Sequence, residues 1–266
     1  MDKYYTALVI GGVTFGTAAI FIKFSNMTPG MIAFSRFLVA GIILSRGRVN
    51  FRNIVKNLKV GFLLAVHMIL FILSVYNTTI IDSTVLVSTS PIFSLALSPL
   101  VGIPTTRKEI VTGLIAFLGV IIMNFPLNEG RLYGNLLAVL SALAISLYTI
   151  ILSKNQEDDP LLLTSYVYLS STIFSFPFLL IQGVGKIDLV SVLSLLGLII
   201  FPTLIGHTSV IYASGHVKPS HIEVIGLLEP VVATVLSFFL FKQVPTSFEL
   251  LGSGLVIISI ALLVNR

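Results

Sequence analysis

A glutamate followed by a proline, Glu229-Pro230, lies inside an apolar stretch that runs from Pro219 to Phe241. The stretch is long enough to cross a bilayer, where a carboxylate is costly and a proline leaves one backbone carbonyl unpaired. A second pair, Ser90-Pro91, lies 139 positions earlier. Glu229 can hold a proton or bind a substrate amine, or it can cap the backbone that the proline frees. We favour the functional interpretation, and we interpret Pro91 and Pro230 as shared hinges.

A second glutamate, Glu223, lies six residues before Glu229. On a continuous helix six residues turn the chain by about 600°, so the two carboxylates would point about 120° apart. The spacing therefore predicts no pair of carboxylates on one helix face. It places Glu223 in a vestibule on the cytoplasmic side.

Arg36 lies in the middle of the apolar run from Met31 to Leu44. An arginine at that depth must face protein or water, and it needs a partner. It can bind an anionic group of a substrate, or it can be a structural residue satisfied by carbonyl groups or a glutamate. The second interpretation is favoured because intramembrane charges usually pair. Arg36 stays a candidate for the lining of a central cavity.

Two histidines, His67 and His207, lie 24 and 23 residues before Pro91 and Pro230. The near-symmetric pair is compatible with a pH-responsive or substrate-contacting role. It is equally compatible with two histidines that are hydrogen-bonded inside a helix bundle. Tyr148 is predicted to line the same cavity from mid-span, and the remaining candidates for its lining are Ser90, Thr89 and Tyr76. No metal site is expected, because His216 and His221 do not share a helix face.

The composition is that of an integral membrane protein. Hydrophobic residues make up 56% of the 266 residues and charged residues 10%, with a mean hydropathy of +1.04. A soluble domain typically carries about 25% charged residues. The net charge of +5 is spread between apolar runs, which excludes a nucleic-acid partner. The absence of cysteine excludes disulfides, thiolate metal sites and cysteine nucleophiles.

The apolar intervals between charges predict ten transmembrane helices, since a helix needs about 20 apolar residues to cross a bilayer. The predicted spans are Lys3–Lys23, Met31–Leu44, two within Lys59–Arg107, Ile110–Asn124, Leu132–Ser153, Pro160–Ile181, Leu189–Ala213, Pro219–Phe241 and Ser247–Val264. An even number places both termini on one side of the membrane. Eleven Lys and Arg residues fall on that side and four on the other, which predicts cytoplasmic termini.

The chain divides into two predicted halves, residues 1–128 and 129–266, with five spans each. Ser98 and Ser237 share the offset of 139 with the two prolines, and so do Gly113 and Gly252. Five spans are an odd number, so the second half must enter the membrane in the opposite sense. The predicted fold is therefore an all-α membrane protein built from two inverted five-helix repeats, which in transporters place the substrate near the midplane.

These residues together resemble the drug/metabolite transporter superfamily, in particular its ten-helix EamA-like branch. The resemblance covers the whole chain, and its motifs are degenerate singly but fairly specific in their order. The residues that carry it are Ala33-Phe34-Ser35-Arg36-Phe37, Ser88-Thr89-Ser90-Pro91, Leu228-Glu229-Pro230-Val231 and the glycine-bearing spans Gly113–Ile122 and Gly252–Ile260.

The resemblance implies a permease for small metabolites, often an exporter of amino acids or related compounds. It also implies a central cavity in which Phe15 stands where the family commonly has a tryptophan. Glutamates that the family often carries after the fourth and ninth spans are replaced here by Ile103-Pro104 and Lys242-Gln243. Those positions lie near helix ends, so we expect the replacement to affect local anchoring rather than the cavity.

The predicted function is secondary transport of a small metabolite across the plasma membrane by alternating access. The alternatives are a membrane-embedded enzyme acting on a lipid or carrier, and a channel. No HExxH run or acid–base constellation supports an enzyme, and no cofactor is expected. The predicted partners are the bilayer and a small-molecule substrate, with proton coupling left open. We expect a monomer or a weak homo-oligomer.

Overall fold

A computed structural model describes residues 2–78, 80–123, 125, 132–154, 159–241 and 244–264. The predicted boundary at 128/129 and Lys242-Gln243 lie outside the described residues. Within them the fold is helical throughout, and the pairing outside helices consists of two isolated bridges, Met27 with Gly185 and Ser214 with Val217. The first-half helices are α1 (Lys3–Phe15), α2 (Ala18–Phe24), α3 (Pro29–Ser45), α4 (Phe51–Lys56), α5 (Leu58–Asn77), α6 (Ile80–Val87), α7 (Ser90–Leu97) and α8 (Arg107–Met123).

The helices after residue 131 are again a mixture of long helices and spans that are divided into shorter helices. They are α9 (Leu132–Leu152), α10 (Pro160–Gln182), α11 (Leu189–Leu198), α12 (Thr208–Ala213), α13 (Pro219–Gly226), α14 (Leu228–Phe241) and α15 (Ser247–Val264). A short 3-10 turn covers Ser98–Val101, and a π-helical segment covers Ile199–His207.

Eight helical segments among the described residues are long and apolar enough to cross a membrane. They are Lys3–Phe24, Leu58–Asn77, Ser83–Val101, Leu132–Leu152, Pro160–Gln182, Leu189–Ala213, Pro219–Leu236 and Ser247–Val264. Two further predicted spans correspond to α3 and α8, which have 17 residues each. Large apolar side chains such as Ile43, Leu118, Leu140 and Leu193 are exposed on the outside of the bundle, as expected for a surface in contact with lipid.

Small residues and hydroxyl groups join the long helices in pairs. α3 packs along α10, α5 along α9, and α8 along α15. Ser165 of α10 donates to the carbonyl of Gly41 in α3 at 2.7 Å, and Ser74 of α5 donates to the carbonyl of Gly134 in α9 at 2.9 Å. A Cβ on Gly119 of α8 would lie 2.8 Å from the carbonyl oxygen of Gly252 in α15. Such close backbone approach is the packing expected of helices in lipid.

The spans that contain Pro91 and Pro230 are broken at equivalent positions. A proline has no N–H to donate to the carbonyl four residues earlier, which is Val87 for Pro91 and Gly226 for Pro230. α6 ends at Val87 and α13 ends at Gly226, and these residues are themselves 139 positions apart. The helix break therefore follows directly from the proline in each half.

Two further spans are irregular, and like the two broken spans they contribute residues to one cavity. The first is interrupted at Gly16-Thr17, between α1 and α2, where Thr17 Oγ1 donates to the carbonyl of Thr14 at 2.7 Å. The other contains Pro202 inside the π-helical segment Ile199–His207. There the hydroxyl of Thr203 donates at 2.6 Å to the carbonyl of Leu198, which Pro202 cannot pair. π-helical turns of this kind occur frequently at functional sites.

Candidate functional site

A cavity of about 100 Å³ lies where the interrupted helices meet. The breaks themselves supply part of its wall, through Phe15, Ser88, Leu227 and Pro202. Its charged and imidazole lining residues are Arg36, His67, His207, Glu223 and Glu229. Apolar side chains complete the lining, among them Met68, Phe71 and Ile145. Irregular backbone at membrane depth is tolerated where it lines such a cavity.

Arg36 reaches the cavity from α3 and is 1% exposed. Its Nε donates to Thr203 Oγ1 at 2.9 Å, and its Nη1 donates to the sulfur of Met68 at 3.0 Å. The ion pairs found among the described residues do not include Arg36. Its charge interacts electrostatically with Glu229, which lines the same cavity.

Thr203 contacts the candidate site and was not predicted from the sequence. Its hydroxyl donates to Leu198 O and accepts the hydrogen bond from Arg36, so it links that carbonyl to the guanidinium. Tyr168, which is fully buried, donates to the carbonyl of Thr203 at 2.8 Å. The signal for this site was Pro202, a proline in the middle of an apolar span.

The two predicted histidines both line the cavity but differ in their bonding. The Nδ1 of His67 lies 2.9 Å from Ser141 Oγ and 3.2 Å from the Ser141 carbonyl oxygen. The ring of His207 packs edge-on against Phe15, with centroids 4.9 Å apart, and against Tyr168. Its buried Nδ1 has no hydrogen-bond partner among the described residues.

Both glutamates line the cavity, although a continuous helix would point them about 120° apart. The prediction of a separate vestibule for Glu223 assumed that continuous helix, and it fails because the chain breaks at Gly226-Leu227 between the two carboxylates. Glu223 is 7% exposed and accepts a short hydrogen bond from Thr149 Oγ1. It also forms a hydrogen bond with the side chain of Ser90.

A polar cluster lies at the end of the bundle near the N-terminus; we call Tyr5, Glu109, Lys218 and His221 the terminal-side cluster. The buried Glu109 accepts from Lys218 Nζ at 2.8 Å and lies 3.0 Å from His221 Nε2. The other ring nitrogen of His221 lies 2.7 Å from the hydroxyl of Tyr5. The cluster therefore joins the starts of α1, α8 and α13.

The EamA-like transporter family model matches residues 2–125 and again residues 132–265. The chain belongs to the EamA-like transporter family. A protein of Archaeoglobus fulgidus named as an uncharacterized transporter is 30% identical over 280 residues, which cover 99% of both chains. A second protein of that organism with the same name is 24% identical and covers 98% of this chain and 97% of its own. These matches identify the molecule as a multi-pass membrane transporter.

The fold of this EamA-like transporter also occurs in a protein solved by crystallography. That chain superposes with a TM-score of 0.80 at 15% identity, and the match covers 99% of this chain and 97% of the other. The likeness concerns the fold alone. It extends over nearly the full length of both chains.

Three other predicted lining residues of the EamA-like transporter lie outside the cavity wall. Tyr148 is fully buried in the core, and its hydroxyl has no partner in the described part of the chain. Thr89 donates to the carbonyl of Leu86 at 2.6 Å within the helix break. Tyr76 is 43% exposed and donates to the carbonyls of Ser25 and Met27.

Proposed function

We propose that this protein is a secondary transporter that moves a small metabolite, an amino acid or a related compound, out of the cell by alternating access. The observation that carries the proposal is the cavity in which interrupted helices meet and whose lining contains groups of opposite charge. Discontinuous helices near the bilayer midplane form the substrate sites of many secondary transporters.

The lining of the cavity fits a zwitterion with an apolar body. The hydrogen bonds to Thr203 and Met68 use two of the five N–H donors of Arg36, which leaves donors for a substrate carboxylate. Glu229 supplies a negative group for a substrate amine or a coupled proton. Phe15, Met68 and Phe71 offer apolar and aromatic surface to the rest of the molecule.

The arrangement by ten helices in two inverted repeats is part of the proposal, and the helix contacts support it. α6 and α7 pack on α9, and in the other half α13 and α14 pack on α1. α5 also packs on α9. The equivalent span of the second half, formed by the π-helical segment and α12, packs on α1. Exchanging the first half for the second leaves this set of contacts unchanged, as expected for two copies of one five-helix unit related by a pseudo-two-fold axis.

The proposed topology has cytoplasmic termini in the plasma membrane, supported by the excess of Lys and Arg on that side. In this orientation the terminal-side cluster closes the cytoplasmic entrance. Hinges at Pro91 and Pro230 would let the two halves move against each other. We propose a monomer or a weak homo-oligomer as the transporting unit.

Flux through proteoliposomes tests the proposed function. Purified protein is first screened by thermal shift against amino acids, nucleosides and sugar phosphates, because a bound ligand raises apparent stability by mass action. Uptake and counterflow of the ligand that raises the melting temperature most are then measured. We expect saturable, substrate-selective exchange that Arg36→Ala and Glu229→Gln reduce strongly.

The variants must be compared with wild type at equal reconstituted amounts and with intact far-UV circular dichroism. Glu249→Gln is a matched control, because Glu249 caps a helix and is not among the residues that line the cavity. Unchanged flux in both cavity variants would refute the assignment of the central site. Non-saturable flux would indicate a channel, and conversion of the ligand would indicate an enzyme.

A further inference from the structure

The two cavity carboxylates differ in how their charge is balanced. The Arg36 guanidinium interacts electrostatically with Glu229, as it does with Tyr168 and the two cavity histidines, so the charge of Glu229 is opposed by a nearby cation. The groups that hold Glu223 are neutral hydroxyls, those of Ser90 and Thr149. Among the described residues no cationic side chain forms an ion pair with Glu223.

The position of Glu223 is fixed from three elements. Its own helix, α13, packs against α7 and α9, which carry Ser90 and Thr149. Ser146, one turn before Thr149, donates to the carbonyl of Ser90 at 2.7 Å and so holds the two hydroxyl-bearing helices together. A carboxylate fixed in this way is ready to bind a cation without further ordering of its side chain.

We propose that Glu223, held by Ser90 and Thr149, binds the ammonium group of the transported metabolite, while Arg36 binds its carboxylate. This inference rests on the proposed function and names the subsite for one end of the substrate. A buried carboxylate without a cation gains more from an incoming ammonium group than one whose charge is already opposed. Glu229 then balances Arg36 when the cavity is empty.

His207 supplies independent support for a polar ligand in this cavity. Its side chain is 5% exposed, and the buried Nδ1 has no partner among the described residues. A buried polar atom without a hydrogen bond is costly, so a cavity wall that keeps one is suited to a ligand that supplies the missing bond. The rings of Phe15 and Tyr168 fix the imidazole in place.

Three probes that share a phenylethyl body test the subsite. They are L-phenylalanine, with both charged groups; phenethylamine, with the ammonium group alone; and 3-phenylpropionate, with the carboxylate alone. Their binding to the full-length protein in nanodiscs is measured by calorimetry for wild type and for Glu223→Gln. We expect Glu223→Gln to raise the Kd of both amines on the order of tenfold or more. The Kd of 3-phenylpropionate should stay within about twofold of wild type, since it lacks the ammonium group.

Three further variants separate the subsite from general damage. Thr149→Val keeps the carboxylate and removes one hydroxyl that holds it, so it should weaken both amines in the same direction and to a smaller extent. This variant also tests the subsite if Glu223→Gln does not fold. Glu229→Gln should weaken the amines less than Glu223→Gln. Glu249→Gln, which changes a glutamate outside the cavity lining, should leave all three affinities unchanged.

The outcomes distinguish the subsite from the function on which it rests. If Glu223→Gln weakens the three probes equally, or if Glu229→Gln alone weakens the amines, the ammonium subsite is wrong while the transporter proposal stands. If wild type binds 3-phenylpropionate but neither amine, the cavity has no ammonium subsite, and the transporter proposal again stands. If none of the three binds wild-type protein, the proposed substrate class fails, and the subsite fails with it.

Discussion

The guanidinium of Arg36 depends on a threonine whose own position depends on a proline. Pro202 has no N–H to donate to the carbonyl of Leu198, and Thr203 donates its hydroxyl to that carbonyl within a π-helical segment. The same oxygen then accepts from Arg36 Nε. A buried charge in the cavity is thus stabilised by neutral groups, and it stays free of a directly bonded carboxylate among the described residues.

Thr203→Val should therefore damage the site more than its small change of volume suggests. It removes the oxygen that accepts from Arg36 Nε, which leaves that buried donor without a partner at a cost of about 1–3 kcal/mol. We expect a lower melting temperature in nanodiscs and weaker binding of a carboxylate ligand. Thr172→Val is the matched control, because the Thr172 hydroxyl bonds only within its own helix, to Tyr168 O at 2.9 Å. Equal effects of the two substitutions would contradict the role given to Thr203.

Single residues show which parts of the site the sequence could predict. Arg36, Glu229 and the two histidines could be predicted as lining residues of the cavity because polar groups in apolar spans are costly and therefore conspicuous. Thr203 and Thr149 were not, since a threonine in a transmembrane helix usually bonds to its own helix and nothing local distinguishes these two. Glu223 was misplaced because its direction was calculated along a continuous helix, whereas Pro230 ends that helix at Gly226.

At the scale of elements, glycines set the distance between α1 and the broken span. A Cβ on Gly12 would lie 2.9 Å from the carbonyl oxygen of Ile225, and one on Gly16 would lie 2.6 Å from the Cβ of Val232. These contacts bring α1 against α13 and α14 at the level where both spans are interrupted. The breaks can meet around one cavity because the helices that carry them approach this closely.

Gly16→Ala should push α1 away from α14. The added methyl group would meet the Cβ of Val232, which is branched and cannot rotate out of contact, so we expect a loss of about 1–3 kcal/mol in stability. Gly254→Ala provides the control within α15, because a Cβ there meets nothing within 4 Å. Thermal unfolding in nanodiscs compares the two. A stable Gly16→Ala protein with unchanged ligand affinity would show that this contact is not needed.

The start of α11 has a cap that responds to acid. Asp188 lies just outside the span Leu189–Ala213, and its pKa is lowered to about 2, first by the backbone N–H of Ser191, then by the Ser191 hydroxyl and Asn26. A lowered pKa means that the folded state favours the ionised form. Its contribution to stability is complete above the unfolded value of about 3.9, and it is lost as the pH falls towards about 2.

Asp188→Asn removes the charge and should therefore remove this part of the pH dependence. We expect wild type to be more stable than the variant above about pH 4, and the difference to shrink as the pH is lowered to about 2. Thermal unfolding of both proteins across that range measures it. A difference that stays constant over the whole range would contradict the lowered pKa.

At the scale of the whole molecule, the terminal-side cluster connects elements far apart in the chain. Glu109 and Thr106 come from the end of the first half, and Lys218 and His221 come from the second. Thr246 and Glu249 repeat the helix cap of Thr106 and Glu109 in the second half, but there the glutamate is only half-buried. In the first half the glutamate of this cap also pairs with Lys218 and His221 of the second half. The ion pairs found among the described residues include no such contact for Glu249.

Lys218→Met should loosen the closed end near the N-terminus. A single cysteine placed at Ile222, which lines the cavity, can report this because the chain has no native cysteine. We expect faster labelling by a membrane-impermeant maleimide added from the side of the termini when Lys218 is replaced. Lys186→Met is the control, since Lys186 pairs at 3.5 Å with Asp188 in an exposed position. Equal labelling rates in wild type and Lys218→Met would show that the cluster does not close the entrance.

The helix breaks at Pro91 and Pro230 also determine the electrostatic potential inside the cavity. Each break creates a new helix N-terminus, at Ser90 for α7 and at Leu228 for α14, and each such end carries roughly half a positive charge from the aligned peptide dipoles. Glu229 lies in the first turn of α14, and Glu223 bonds to the first residue of α7. Each carboxylate therefore faces the positive end of a half-helix. The two halves supply equivalent partial charges even though only the second half supplies the acids.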